Sequence, residues 1–409
     1  MHLQLSRRDF MKSAALFSAL GVAPQFLTRT VEGAAQTIEG FKDDRVLVVV
    51  QLGGGNDGLN TLVPHGDDVY YQSRPKLGLK KDQLVVIDDH VALNARMTEF
   101  MRLYDSGNLA VVQGVGYPNP DRSHFRSMEI WHTASDSEEF LGAGWIGRYF
   151  DHNCTGSARP QAGVALGKER PQAFDGARGF GVAFEDPNRF GWEPGIGADT
   201  KENFARINRP TGANDGNLDF LRHVTSSAIL SSEEVGRAAD KAGIAAPQRG
   251  RRQPLLELDV IAGLIRGGLQ TRIYYVSMSG FDTHANQLDQ HNRLLEGVAK
   301  SLSEFQATLR RDGTADRVVT MVFSEFGRRV RENGSGGTDH GTAAPMFPLG
   351  NGVKPGLHGT FPSLSDLDDG DLKHTVDFRE VYAGVLERWL GVNPLPILGR
   401  SFVPIHVIA

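Results

Sequence analysis

Four short apolar runs punctuate the chain at residues 46–52, 109–115, 273–278 and 318–323. Each is rich in β-branched or bulky side chains and ends in glycine or polar residues, the pattern of parallel strands buried on both faces. Helical periodicity lies between them. Over 285–311, Leu288, Leu295, Val298, Leu302, Phe305 and Leu309 fall at spacings of 7, 3, 4, 3 and 4, one face of a helix. A second helix is predicted over 377–390, with Phe378, Val381, Tyr382, Val385, Leu386, Trp389 and Leu390 on one side. Asp377 with Glu380 suits its capped start, and Gly391 suits its end. Weaker helical patterns cover 97–107 and 254–266. Strands alternating with helices predict an α/β fold, a mostly parallel sheet with helices on both faces. The stretch 151–250 is rich in Gly, Arg and Asn and lacks strong periodicity until Leu218. It is expected as a cap or insertion on a single domain spanning 41–409. No repeat of solenoid period is present.

Composition narrows the function classes. The 409 residues carry 44 Lys+Arg against 49 Asp+Glu, a formal net charge of −5, with 23% charged and 40% hydrophobic residues. That is a globular composition without a basic nucleic-acid footprint. The 48 glycines are not periodic, which points to tight turns and close backbone approaches. The single cysteine, Cys154, excludes an intramolecular disulfide and a cysteine-rich zinc site, and it reads as a packed thiol.

The first forty residues read as an address. Ser6-Arg7-Arg8-Asp9-Phe10-Met11-Lys12, followed by a modestly apolar stretch from Ala14 to Ala23, matches a twin-arginine export signal. That stretch is too short for a permanent membrane anchor, and no later one reaches membrane length. The expectation is a mature protein without an integral membrane segment, periplasmic or extracellular, with cleavage near Ala34-Ala35.

The candidate chemistry sits after the strands. The first run leads into Gln51-Leu52-Gly53-Gly54-Gly55-Asn56-Asp57, and the second into Asp121-Arg122-Ser123-His124-Phe125-Arg126. The third leads to Gly280-Phe281-Asp282-Thr283-His284, and the fourth to Ser324-Glu325-Phe326-Gly327-Arg328-Arg329 and then Thr338-Asp339-His340. In open α/β sheets the carboxyl ends of parallel strands converge on one crevice, where ligands bind. Asp57, Asp282, His284, Glu325, Asp339 and His340 are the candidate metal ligands. Mixed carboxylate and imidazole donors suit zinc, manganese or iron better than all-oxygen calcium, with zinc or manganese the expected metal. Ser123 is a candidate nucleophile or a helix N-cap. Arg122, Arg126, Arg328 and Arg329 are candidates to clamp an anionic group. Each residue also has a plainer reading: Asp57 a turn residue, Asp282 a helix cap, Asp339-His340 part of a glycine-rich loop. The run Gly53-Gly54-Gly55 lacks a following Gly-Lys-Ser/Thr and matches no dinucleotide fingerprint.

These blocks resemble the bacterial secreted family called domain of unknown function 1501. The resemblance runs through the twin-arginine start, Leu52 to Thr61, Arg122 to Trp131, Gly280 to Gln287, Ser324 to Arg328, Asp339 to Thr342 and Val376 to Gly391. More distantly, the chain is similar to the alkaline phosphatase and sulfatase superfamily. That similarity implies a doubly wound α/β sheet and metal-assisted hydrolysis of phosphate or sulfate esters, with a small anionic ester or polymer as substrate. It implies metal ligation by Asp57, Asp282, His284 and His340, with Ser123 near the nucleophile's place. Glu325 stands where an Asp-His pair is expected, and Phe326 occupies the histidine's position, a departure from a two-zinc site. Two readings follow: a metal-dependent hydrolase with Ser123, Arg122 and Arg328 as catalytic groups, or a non-catalytic exported binding protein on the same fold.

Overall fold

A computed structural model describes residues 43–154, 160–177, 181–190, 216–244 and 256–409, with isolated positions 203, 206 and 207. The export motif and parts of 151–250 lie outside the described residues.

The centre of the fold is one mixed sheet. Its strands, in chain order, are β1 (Val46–Gly53), β2 (Ala110–Gly116), β3 (Gly163–Leu166), β4 (Val182–Phe184), β5 (Ile273–Ser279), β6 (Val318–Phe323), β7 (Ala344–Leu349), β8 (Gly356–His358) and β9 (Val376–Asp377). They lie in the order β8-β2-β7-β6-β1-β5-β3-β4, and β9 also pairs with β2. β1 is parallel to both β5 and β6, with Val48 opposite Tyr274 and Thr320. Only β7 runs antiparallel, between β2 and β6. The sheet is therefore mostly parallel, and the four strands expected from the apolar runs form its middle. β3 and β4 fall inside the stretch expected as a cap. They extend the sheet in parallel beside β5, so this part of 151–250 belongs to the central layer and not to an insertion above it. Their short lengths, four and three residues, hold too few positions to show a strand pattern in sequence.

Helices cover both faces. They are α1 (Asp68–Ser73), α2 (Thr98–Asp105), α3 (His124–Thr133), α4 (Trp145–Asn153), α5 (Gly216–Ala242), α6 (Leu256–Gly267), α7 (Gln287–Arg311), α8 (Phe378–Gly384) and α9 (Leu395–Leu398). Side chains alternate across a strand, so β1 feeds two cores. Val46, Val48, Val50 and Leu52 pack with residues of α2, α5, α6 and α7, while Leu47 and Val49 pack with α3, α4 and α8. In α7 the face Leu295, Val298, Leu302, Phe305 and Leu309 is buried, as its spacing requires. Asp377 caps α8 by accepting from the Arg379 amide at 3.0 Å. The helix continues through a π-helical turn at Val385–Trp389 and stops before Gly391, whose φ of 70° is the left-handed conformation glycine adopts without cost. No helix of the described residues is long and apolar enough to cross a membrane.

Candidate metal centre

The carboxyl ends of β1, β2, β5 and β6 deliver their loops to one place. Arg328, after β6, ties them together. Its side chain is buried, and Nε donates to Gly55 O at 2.6 Å, Nη1 to Thr338 O at 2.9 Å, and Nη2 to Phe281 O at 3.1 Å and to Gly54 O. The same Nη2 donates to Asp282 Oδ1 at 2.7 Å. Glycine is required where these loops meet. Gly54 has φ of 118°, and a Cβ there would stand 2.4 Å from the Asp282 amide nitrogen. A Cβ on Gly55 would stand 2.3 Å from Cε2 of Phe326. The triple glycine thus serves close backbone approach.

Three side chains converge above this scaffold. One donor atom from each of His124, Asp282 and His340 lies within 4.8 Å of the others. His340 Nε2 is 3.1 Å from Asp282 Oδ1, and His124 Nε2 is 3.6 Å from it. His284 joins the group, its Nε2 2.9 Å from Asp282 Oδ1 and 3.0 Å from His340 Nε2. Ligands about 2.0–2.1 Å from a tetrahedral zinc stand about 3.3 Å from one another. The observed separations straddle that value.

Tautomers follow from the partners. His340 Nδ1 lies 2.8 Å from Arg122 O, and a carbonyl only accepts, so Nδ1 carries the proton and Nε2 presents its lone pair to the cluster. His124 Nδ1 likewise donates to Glu325 Oε1 at 2.9 Å. His124 Nε2 is then left buried with no hydrogen-bond partner. A carboxylate or carbonyl behind each ligating imidazole is how metal-binding histidines are oriented. The orphaned Nε2 of His124 is the observation that fits a metal ion to this site.

Charge is arranged to match. Burial would raise the Asp282 carboxyl, but the Arg328 guanidinium donating to Oδ1 prevails and holds it at about 2, so it stays ionised. Burial lowers His340 below its ordinary value despite Asp282, keeping it neutral. The Glu325 hydrogen bond raises His124.

Several expected site residues are placed elsewhere. Asp57 is fully buried and paired with Arg74 Nη1 at 2.6 Å, with Gln287 as a second donor. Burial opposes its ionisation, but Arg74 holds the carboxyl below its usual value, and it forms a structural ion pair instead of joining the cluster. Glu325 stands behind His124: its Oε1 accepts hydrogen bonds from His124 Nδ1 and from the Gly54 amide at 2.8 Å. Asp339 is exposed, 3.6 Å from His284 Nδ1. Phe326 packs its ring against His124 and His340, centroids 4.9 and 4.8 Å away, and fills space beside them. Arg122 is engaged by Asp369 at 3.0 Å and Asp371 at 2.6 Å, and Arg329 by the same pair. Arg126 donates to the carbonyls of Asp136, Ser137 and Glu139. With Arg328 committed to carbonyls and Asp282, none of these arginines is arranged as an anion clamp. Ser123 is the exposed N-cap of α3 and makes no capping bond with its side chain.

His124 is the residue that sequence reasoning missed. It was part of the cluster after the second apolar run, adjacent to the serine taken as nucleophile. The available signal was its place as first residue of the helix following a central strand.

Among solved structures, the chain is similar to the lipoteichoic acid synthase LtaP from Listeria monocytogenes, at 10% identity and a TM-score of 0.39, over 90% of this chain and 74% of that one. It is similar to the C-terminal periplasmic domain of EcEptC from Escherichia coli, at 9% identity and a TM-score of 0.38, over 90% of each chain. It is also similar to a protein in the alkaline phosphatase superfamily from Vibrio parahaemolyticus, at 10% identity and a TM-score of 0.38, over 91% of this chain and 76% of that one. No curated protein matches the sequence. The sequence model of the family described as protein of unknown function DUF1501 matches residues 109–394, well over half of the chain, and the chain belongs to that family.

Proposed function

We propose that this protein binds one divalent metal, zinc in first place and manganese in second, through His124, Asp282 and His340, and uses it to hydrolyse anionic esters of the phosphate or sulfate class. The observation that carries the reading is the pair of imidazoles whose Nδ1 atoms are held by acceptors while their Nε2 atoms converge on an ionised carboxylate. Side chains at 2.9 to 3.6 Å from Asp282 Oδ1 form a compact nitrogen-and-oxygen donor set suited to these metals. A bound ion of this kind supplies Lewis-acid polarisation of an ester oxygen.

The chain's own residues divide the remaining work. Glu325 and Arg122 O fix the two imidazoles, and Arg328 keeps Asp282 ionised. α3 begins at His124, so its first-turn N–H groups and dipole favour an anion beside the cluster. Ser123, exposed and without a capping bond at the same helix start, is the attacking group of this reading. Asp282 is 48% exposed and His284 44%, which leaves the cluster open to an incoming ester. In the net reaction one water adds across the P–O or S–O bond, and the alcohol leaves with a proton. The motif Ser6 to Lys12 supports action outside the cytoplasm after twin-arginine export.

His284 favours a second reading. As a fourth protein donor it closes the set in the manner of a structural zinc site, giving a metal-holding protein without turnover. One experiment separates the two. Metal content is measured by elemental analysis on protein purified without chelators, alongside turnover of an aryl phosphate and an aryl sulfate, for wild type, Asp282→Ala, His284→Ala and Ser123→Ala. The hydrolase reading expects about one equivalent of metal, lost in Asp282→Ala and retained in His284→Ala, with turnover lost in Ser123→Ala. Metal without turnover on either ester class supports the second reading, and absence of metal overturns both.

A further inference from the structure

Behind the two imidazoles runs a chain of buried hydroxyls. Tyr117 follows the last residue of β2, and its ring stands edge-on to Phe378 with centroids 6.0 Å apart. Its hydroxyl lies 2.8 Å from Ser127 Oγ, and Ser127 Oγ lies 2.6 Å from Glu325 O. Both side chains are buried. Their protons have a fixed order. A carbonyl only accepts, so Ser127 gives its one proton to Glu325 O. The Tyr117 hydroxyl therefore donates to Ser127, and its lone pair accepts from the Asp121 amide at 3.2 Å. Asp121 O, at 3.3 Å, is the longer alternative for the tyrosine proton.

The two ends of this chain are the two groups that orient the imidazoles. At one end, Ser127 and His124 are three positions apart in α3 and share a face. Both are tied to Glu325, His124 Nδ1 to Oε1 at 2.9 Å and Ser127 Oγ to the backbone carbonyl. Two ties to one residue fix the rotation of the first turn, which the Ser127 amide closes on Ser123 O at 2.9 Å. At the other end, Tyr117 holds the Asp121 amide, and the Asp121 carboxylate accepts from the Ser123 amide at 2.7 Å. Arg122 lies between these two anchors, and its carbonyl is the acceptor for His340 Nδ1. Tyr117 and Ser127 thus reach the cluster only through Glu325 and Arg122.

We propose that Tyr117 and Ser127 are positioning residues that couple the two imidazoles: Ser127 acts through Glu325 on His124, and Tyr117 acts through Ser127 on His124 and through Asp121 on His340. Their part in metal binding rests on the reading of His124, Asp282 and His340 as ligands, whereas their hold on the two rings does not. An asymmetry follows. Loss of the Tyr117 hydroxyl loosens both rings. Loss of the Ser127 hydroxyl loosens His124 alone, because the tyrosine proton turns to Asp121 O while its lone pair keeps the Asp121 amide.

The test follows each ring separately. Nitrogen-15 and proton spectra of the metal-free full chain, labelled at histidine, read the Nδ1–H signals of His124 and His340. Competition against a chromophoric zinc chelator reads affinity. Both are run on wild type, Tyr117→Phe and Ser127→Ala. Tyr117→Phe removes one oxygen and keeps the ring against Phe378, so it stays informative if Ser127→Ala, which takes the donor from a buried carbonyl, fails to fold. In Tyr117→Phe both Nδ1–H signals are expected to exchange faster with solvent, and zinc affinity to fall about two- to tenfold, the worth of one hydrogen bond. In Ser127→Ala the His124 signal alone changes, with a similar loss of affinity. A merely structural role lowers the melting temperature without this ring-specific pattern. Unchanged signals from both rings in folded Tyr117→Phe, or zinc bound there with wild-type affinity, overturns the proposal. The expected ring pattern in a protein that takes up no zinc supports the positioning assignment and contradicts the metal reading alone.

Discussion

Replacing Glu325 by glutamine tests the charge behind His124 with little change of shape. Two donors land on one oxygen, Oε1: His124 Nδ1 at 2.9 Å and the Gly54 amide at 2.8 Å. A glutamine carbonyl can accept both. The other oxygen accepts at 3.3 Å from Ser324 Oγ, whose proton also has Leu52 O at 2.7 Å, so with a glutamine amide there the hydroxyl donates to Leu52 and offers the amide a lone pair. The fold should survive, and what disappears is the charge behind the imidazole. Removing such a partner typically weakens metal binding about 10- to 100-fold, or about 1.4–2.7 kcal/mol. Linkage makes this visible in melting. At free metal a hundredfold above Kd, binding stabilises the folded state by about 2.7 kcal/mol, and a tenfold weaker site at the same metal concentration gives about 1.4 kcal/mol. The assay is competition against a chromophoric zinc chelator, paired with thermal melts with and without metal. His124→Ala, which deletes the donor atom, should lose more affinity than Glu325→Gln. Equal affinity in Glu325→Gln and wild type would refute the argument that the Glu325 charge strengthens His124 as a metal ligand.

Three further outcomes follow from the geometry. Asp57→Asn leaves the Arg74 charge fully buried without its partner and should cost about 3–5 kcal/mol in denaturant unfolding, while metal content stays at the wild-type level. His132 and His291, both fully desolvated, are held at about 4 by burial. Because their folded pKa lies below the ordinary 6.5, the unfolded chain takes up protons first; this stability is intact above about pH 6.5 and lost as pH falls towards about 4, at about 3 kcal/mol for each histidine. Urea midpoints measured across that range should fall steeply, and His291→Gln should flatten the dependence. Gly54→Ala places a Cβ against the Asp282 backbone in a left-handed conformation, and should lower both stability and metal affinity, read by the same melts and chelator titration.

The sheet's middle was legible because parallel strands covered on both faces must be continuously apolar, as in β1 and β6. β7 was not, since Ala344–Leu349 contains Pro345 and Pro348 and runs antiparallel with a bulge against β2. The convergence of polar clusters at strand ends was also legible, and it placed Asp282, His284 and His340 together. Which side chains form the cluster and which support it was not. Asp57 meets Arg74 seventeen positions along, in an irregular segment without periodicity, so nothing local distinguishes an ion pair from a metal ligand. Glu325 and His124 are 201 residues apart, and only the fold decides that one carboxylate backs an imidazole while another faces the cluster. Arg328 has the same ambiguity: its four carbonyl acceptors belong to three loops that sequence order does not bring together.

The most direct measurement is anomalous diffraction at the zinc edge from crystals of the zinc-loaded full chain. The account predicts one peak about 2.0–2.2 Å from His124 Nε2, an Asp282 carboxylate oxygen and His340 Nε2, with Glu325 and Asp57 outside bonding distance. No peak at this cluster, or a peak bonded to Asp57 with Arg74 displaced, would contradict it.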